Sequence, residues 1–359
     1  VMIKPPEYVS ALKAYVPGKP VEELERELGI KDSVKLASNE NPLGPSKKAL
    51  EAAAKNLAGV NRYPDGGAYY LTEALSKKLG VEKGQIVFGN GSNELIDMAV
   101  RTFLKPGSEA VMAWPSFVIY PMSIQVHGCH GIRVPLLDFR HDLRKMAEAV
   151  TKRTKIVFIA NPNNPTGTIN RREEFDRFME EIPHNVLVVV DEAYFEYVTD
   201  PKYADSMKHL RAGRNVLILR TFSKIYGLAG LRIGYAVTKP GIAAEINKVR
   251  NPFNTSTIAQ AAAIAALEDE EHVANSKKLN TAERQYLYGE LDALGIKYVP
   301  TEANFILMFP GAPAVEVYEA LLRKGVIVRP ASEDSIRVTI GLHDENVRFI
   351  EGLKSIATK

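Results

Sequence analysis

The chain has 359 residues, room for one large α/β domain and a smaller one. Its 46 basic and 43 acidic residues leave a net charge of +3, too balanced for a nucleic-acid or anionic-membrane surface, and 45% hydrophobic with 25% charged residues excludes a disordered chain. The single cysteine, Cys129, excludes an intramolecular disulfide framework and suits a reducing, cytoplasmic compartment. No apolar run approaches the length of a membrane span. No signal peptide is expected, since the start lacks a basic stretch followed by an apolar one, and Val1 ahead of Met2 reads as an addition before an initiating methionine.

Residues 7–16 and 20–29 read as short helical pieces split by Pro17-Gly18. A loop from Asn39 to Pro45 precedes a helix capped by Ser46 and running through Leu57, and 68–79 reads as another. Ile86 to Phe88 is a short strand entering Gly89-Asn-Gly-Ser-Asn-Glu94, and the helix behind it carries Leu95, Ile96, Ala99, Val100, Phe103 and Leu104 on one side. Strands and helices then alternate to about residue 238, at 109–113, 116–126, 131–135, 142–150, 155–160, 171–181, 186–190, 215–219 and 233–237. That alternation predicts the α/β class, a mostly parallel central sheet covered by helices. Residues 240–293 are strongly helical. The remainder (296–299, 304–309, 313–323, 326–328, 335–340 and 344–357) predicts a small α+β unit. There is no internal repeat.

The chemistry concentrates in four segments. Lys224 lies in Arg220-Thr-Phe-Ser-Lys-Ile-Tyr-Gly-Leu-Ala-Gly-Leu-Arg232-Ile-Gly-Tyr235. A lysine amine can form a Schiff base with an aldehyde cofactor. Thr221, Ser223 and Arg232 offer the hydroxyls and planar cation that a phosphate ester needs. Together they point to pyridoxal phosphate, although a surface lysine in a turn before a glycine-rich strand would look the same. Asp191 ends the aliphatic run Val186 to Val190, the position where open α/β sheets bind ligands. A carboxylate there can face the cofactor's ring nitrogen, or it can cap a helix. Asn164 sits in Asn161-Pro-Asn-Asn-Pro-Thr-Gly167, a polar turn after a second buried strand, and offers an amide above the strand ends. In the turn after Gly89, the backbone amides of Ser92, Asn93 and Glu94 would face an anion at a helix start. His127-Gly-Cys129-His130 invites a metal reading, but no fourth ligand is spaced nearby.

The order of these motifs resembles that of the fold-type I pyridoxal-phosphate-dependent aminotransferases. The resemblance extends over nearly the whole chain. Within that family it runs to the histidinol-phosphate aminotransferase branch, through Ser38-Asn-Glu-Asn-Pro-Leu-Gly-Pro45, Asn61-Arg-Tyr63-Pro-Asp65, Arg250-Asn-Pro-Phe-Asn254 and Ser335-Ile-Arg337-Val-Thr. It implies an N-terminal segment (1–34) over the active site, a large cofactor-binding domain (35–250) and a small C-terminal domain (251–359). It also implies that Lys224 carries the cofactor and moves the proton, that Asp191 holds the ring nitrogen, and that Asn164 and Tyr194 bond the ring hydroxyl. Phe117 would stack on the ring, unless it simply packs in the core. Ser92, Asn93, Glu94, Thr221, Ser223 and Arg232 would hold the phosphate. Arg337 and Arg329 would bind the substrate's acidic end, whether phosphate or the carboxylate of glutamate. Tyr15 and Tyr63 would stand on the substrate side, Tyr63 reaching across a homodimer to cofactor and substrate, with Asn39 at the entrance. The implied reaction is transamination between L-histidinol phosphate and 2-oxoglutarate. An aromatic amino-acid aminotransferase and a phosphothreonine decarboxylase share the scaffold. A regulatory protein that binds the cofactor without turnover is disfavoured by the lack of an appended basic segment.

Overall fold

The computed structural model describes residues 3–357, so Val1-Met2 lies outside it. The N-terminal segment forms two helices, Glu7–Ser10 and Val21–Leu28. The first is shorter than the predicted 7–16. It buries no residue, and a helix that short has little to sustain it. Gln125 Nε2 ties it down by donating to the Tyr8 carbonyl at 3.0 Å. The second ends at Gly29 (φ 65°), whose left-handed conformation suits a helix terminus. Strand β1 (Val34–Lys35) follows, unexpected from the sequence because its partner lies close to the other end of the chain.

The large sheet has seven strands: β2 (Ile86–Gly89), β3 (Glu109–Trp114), β4 (His130–Pro135), β5 (Thr154–Ala160), β6 (Leu187–Asp191), β7 (Val216–Thr221) and β8 (Gly234–Val237). Their order is β2-β8-β7-β6-β5-β3-β4. All pairs are parallel except those that β8 makes with β7 and β2. The sheet is buried on both faces. In β6, Val188 and Val190 pack into one apolar cluster, while Leu187 and Val189 pack into the other. This explains why its sequence is uninterruptedly aliphatic. Helices Lys47–Lys55 and Gly91–Phe103 lie on opposite faces, and Ser46 caps the first by accepting from Ala49 N, as expected.

The small unit is an antiparallel sheet of β9 (Lys297–Val299), β10 (Phe305–Phe309), β12 (Arg329–Pro330) and β13 (Ile336–Thr339), in the order β12-β13-β10-β9. Strand β11 (Val326–Ile327) pairs instead with β1, Val34 opposite Val326. Packing does not follow the division expected at residue 250. Ala259, Ala262, Ala263 and Ala266 of helix Thr257–Leu267 are buried in the large-sheet core, their small side chains letting the helix approach closely. Leu36, counted with the large domain, is buried in the small core.

Candidate active site

The carboxyl ends of β5, β6 and β7 and the turn after β3 converge on a cavity of about 240 Å³, where ligands bind in open α/β sheets. Of the expected site residues, Tyr15, Asn39, Ser92, Asn93, Phe117, Asn164, Asp191, Tyr194, Thr221, Ser223, Lys224, Arg232, Arg329 and Arg337 all line it. Two do not. The Glu94 carboxylate accepts from Asn90 N at 2.6 Å and Asn254 Nδ2 at 2.7 Å, so it braces the turn instead of facing the cavity. Tyr63 is 82% exposed and stacks on Phe253 at 4.8 Å between centroids.

Lys224 follows β7 and points back over the strand ends, its Nζ donating to the Ser38 carbonyl at 3.1 Å. Burial, helped by the positive charges of Arg337 and Arg232, pushes its pKa down to about 8. The amine thus lies closer to neutral pH than an ordinary lysine, which suits proton transfer. Asp191 is 5% exposed, and burial raises its carboxyl to about 6. Two donors oppose that rise: Tyr120 Oη at 2.8 Å and Ala193 N at 3.2 Å. The Tyr194 hydroxyl accepts from Asn39 Nδ2 at 2.9 Å, which leaves its own proton to donate into the cavity. Asn39 lines the cavity, is 1% exposed and is fixed by Thr339 and Asn304 of the small unit.

The anion cup lies where helix Gly91–Phe103 begins. Arg232 closes it in a left-handed conformation (φ 54°), donating to Ser223 Oγ at 3.3 Å and to the Asn90 carbonyl at 3.0 Å. Thr221 Oγ1 donates to Ser223 Oγ at 2.9 Å. The cup exists only because two positions carry no side chain. A Cβ on Gly91 (φ 69°) would lie 2.5 Å from Arg232 Nη2, and one on Gly234 would lie 3.0 Å from Ser92 N. Hydroxyls, helix-start amides and a guanidinium fit a phosphate dianion. The cavity's depressed lysine and buried aspartate fit the aldehyde and ring nitrogen of pyridoxal phosphate.

Arg329 and Arg337 face each other directly across β12 and β13. Like charges so placed repel, and among the described residues neither is in an ion pair with a carboxylate. Arg337 donates to Asn164 Oδ1 at 2.7 Å and to the Ala37 carbonyl at 2.6 Å, and its buried Nε has no partner. Arg329 lies over the Tyr15 ring at 5.6 Å. An unneutralised arginine pair has the chemistry to take up an anion.

Tyr120 escaped the sequence reading. Its only signal is its place about one helical turn beyond Phe117, against whose ring it sits edge-on at 5.6 Å. Replacing it with phenylalanine (Tyr120→Phe) removes a donor from the Asp191 carboxylate and is expected to lower kcat/KM about tenfold, the cost of one charge-assisted hydrogen bond. Steady-state kinetics at fixed cofactor saturation checks this.

Fold and site together define a transaminase built around a lysine-held aldehyde cofactor. The family model for aminotransferase class I and II matches residues 31–351, and the chain belongs to that family. It is a pyridoxal-phosphate-dependent aminotransferase. It is 51% identical over 355 residues to the histidinol-phosphate aminotransferase of Moorella thermoacetica, covering 98% of this chain and 92% of that one. To the enzyme of the same name from Methylobacillus flagellatus it is 49% identical, covering 98% and 96%. Its structure resembles that of histidinol-phosphate aminotransferase from Sinorhizobium meliloti in complex with pyridoxal-5'-phosphate, with a TM-score of 0.91, 29% identity and 99% of each chain covered. No helix among the described residues is long and apolar enough to cross a membrane.

Proposed function

We propose that the enzyme moves an amino group between L-histidinol phosphate and 2-oxoglutarate, giving imidazole acetol phosphate and L-glutamate in histidine biosynthesis. The observation that carries this reading is the Arg329–Arg337 pair, two cations opposed across neighbouring strands beside Lys224's cavity. A substrate phosphate would neutralise both, and the carboxylate of glutamate would take the same guanidiniums in the reverse half-reaction. The names of the relatives from Moorella and Methylobacillus support it.

Bound pyridoxal phosphate supplies an electron sink that stabilises negative charge at the substrate α-carbon. Asp191 would keep the ring nitrogen protonated. Asn164, with its oxygen engaged by Arg337, would have Nδ2 free for the ring hydroxyl, and Tyr194 would donate to the same oxygen. With the cofactor bound, Lys224 Nζ would take the proton from the substrate α-carbon and deliver it to the cofactor's aldehyde carbon. The phosphate cup fixes the cofactor's far end, so these groups act on a held ring.

The working unit of this reading is a cytoplasmic homodimer. Leu57, Val60, Tyr63, Tyr70 and Phe253 are exposed, Tyr63 stacking on Phe253, and a partner would cover them. Tyr63 would then complete the neighbour's site.

Titration of the cofactor-loaded protein by visible absorbance tests the substrate. L-Histidinol phosphate is expected to discharge the cofactor's band at the lowest concentration, with 2-oxoglutarate restoring it. Discharge mainly by L-phenylalanine would move the enzyme to the aromatic aminotransferases, and carbon dioxide release from phosphothreonine would make it a decarboxylase.

A further inference from the structure

Asn163 stands one residue before Asn164 but does not line the cavity, and it is 1% exposed. All four hydrogen-bonding positions of its side-chain amide are filled. Nδ2 donates to Thr166 Oγ1 at 2.9 Å and to the Pro115 carbonyl at 3.3 Å. Oδ1 accepts from Ser116 Oγ at 2.8 Å and from His141 Nε2 at 3.1 Å. Only one orientation of the amide works. The Pro115 carbonyl can only accept, so the nitrogen must face it, and the oxygen then faces His141. His141 therefore carries its proton on Nε2, which leaves Nδ1 bare, buried and without a partner. Burial holds this imidazole down to about 4, so the ring is neutral near pH 7.

Two walls of the cofactor site meet at this amide. Pro115 and Ser116 run directly into Phe117, which lines the cavity. Asn163 itself runs into Asn164, and its backbone is pinned on both sides. Its N–H donates to the Thr168 carbonyl at 2.8 Å, and its carbonyl accepts from Gly167 N at 2.7 Å. The His141 carbonyl in turn accepts from Asn170 Nδ2 at 2.9 Å, so the imidazole has its own anchor in the next stretch of the same loop.

We propose that Asn163, gripped by Ser116 and His141, is a positioning residue that sets the Phe117 loop against the Asn164 loop and so fixes both the face and the hydroxyl edge of the cofactor ring. The proposal rests on pyridoxal phosphate lying between those loops. Loosening the grip lets Phe117 drift and carries the Asn164 amide away from the ring oxygen. That oxygen, short of a donor, then holds its proton more tightly.

The test uses the cofactor-loaded enzyme and three variants: Ser116→Ala, His141→Leu and His141→Gln. Each is measured for kcat, for thermal midpoint, and for the pH midpoint of the bound cofactor's visible absorbance. Ser116→Ala and His141→Leu are expected to raise the absorbance pH midpoint and to lower kcat about tenfold, within the range that small misplacements at a site produce. A glutamine places an N–H close to where His141 Nε2 stands, so His141→Gln is expected to return both quantities toward wild type. Variants that lose thermal stability while keeping the wild-type absorbance midpoint and kcat would overturn the proposal, because a purely structural role moves only the first. Should His141→Leu fail to fold, Ser116→Ala decides alone, since it removes a single hydroxyl. A wild-type protein with no cofactor absorbance would overturn the cofactor reading itself, and this proposal with it.

Discussion

Replacing Lys224 with alanine is expected to abolish turnover, lowering kcat by about 10⁴-fold or more, while the protein still folds. No neighbour can take over. The other cations of the cavity are Arg232, Arg329 and Arg337, and a guanidinium does not give up its proton near neutrality. Removing the ammonium also relieves its repulsion with Arg337 and Arg232, which offsets part of the lost packing. The variant should therefore melt close to wild type. Small primary amines, which fit the space vacated by the side chain, should restore a fraction of the rate in proportion to their concentration. Stopped-flow absorbance with histidinol phosphate checks both effects. A variant with wild-type turnover would remove Lys224 from the mechanism.

Asp191→Asn should cost about 10³-fold in kcat, because an amide cannot hold the ring nitrogen protonated. The same change should stabilise the cofactor-free protein, in a way that depends on pH. The folded-state pKa of Asp191 is raised to about 6 from an ordinary 3.8. Its contribution to stability is therefore complete below about pH 4 and is lost as pH rises through 6. Lys224 runs the other way. With its pKa lowered to about 8 from 10.5, its contribution is present above about 10.5 and lost as pH falls through 8. Between about 6 and 8 the cofactor-free enzyme carries both burdens. Asp191→Asn removes one of them, about 3 kcal/mol near pH 7 and well under about 1 kcal/mol at pH 4. Urea unfolding of wild type and variant at those two pH values measures it, and an equal difference at both would contradict the assignment.

Much of the site is legible in the sequence because it hangs on strand ends. Ile156 to Ala160 and Val186 to Val190 are apolar on both faces, so their termini announce themselves, and Asn164 and Asp191 follow at once. Lys224 and Arg232 belong to one continuous segment, and the structure needed only to fold it over. Side chains whose roles arise from packing were not legible. Tyr120 carries no motif, and its bond to Asp191 exists only because its ring, carried by helix Ile119–Val126, stacks on Phe158 of β5 and so reaches the end of neighbouring β6. Asn163 was visible merely as part of a turn. Glu94 was expected to offer only its backbone amide, and nothing in the sequence signals that Asn90 and Asn254 engage its carboxylate. The fold followed the same rule. Local periodicity revealed helices and buried strands, but β1 depends on a partner near the far end of the chain.

The phosphate cup has its two walls at distant points of the polypeptide. Asn90 and Ser92 follow β2, Arg232 precedes β8, and Ile86 pairs with Val237. As the ribosome delivers the chain, the first wall emerges long before the second. Until β8 arrives, β2 is an exposed, unpaired edge with nothing to close the anion site. Arg337 appears later still. Cofactor in the surrounding solution therefore cannot assist the nascent N-terminal half, and loading waits at least until Arg232 and β8 have been made. A transcript cut short before Arg232 would yield a fragment that the cofactor has no means of rescuing from aggregation.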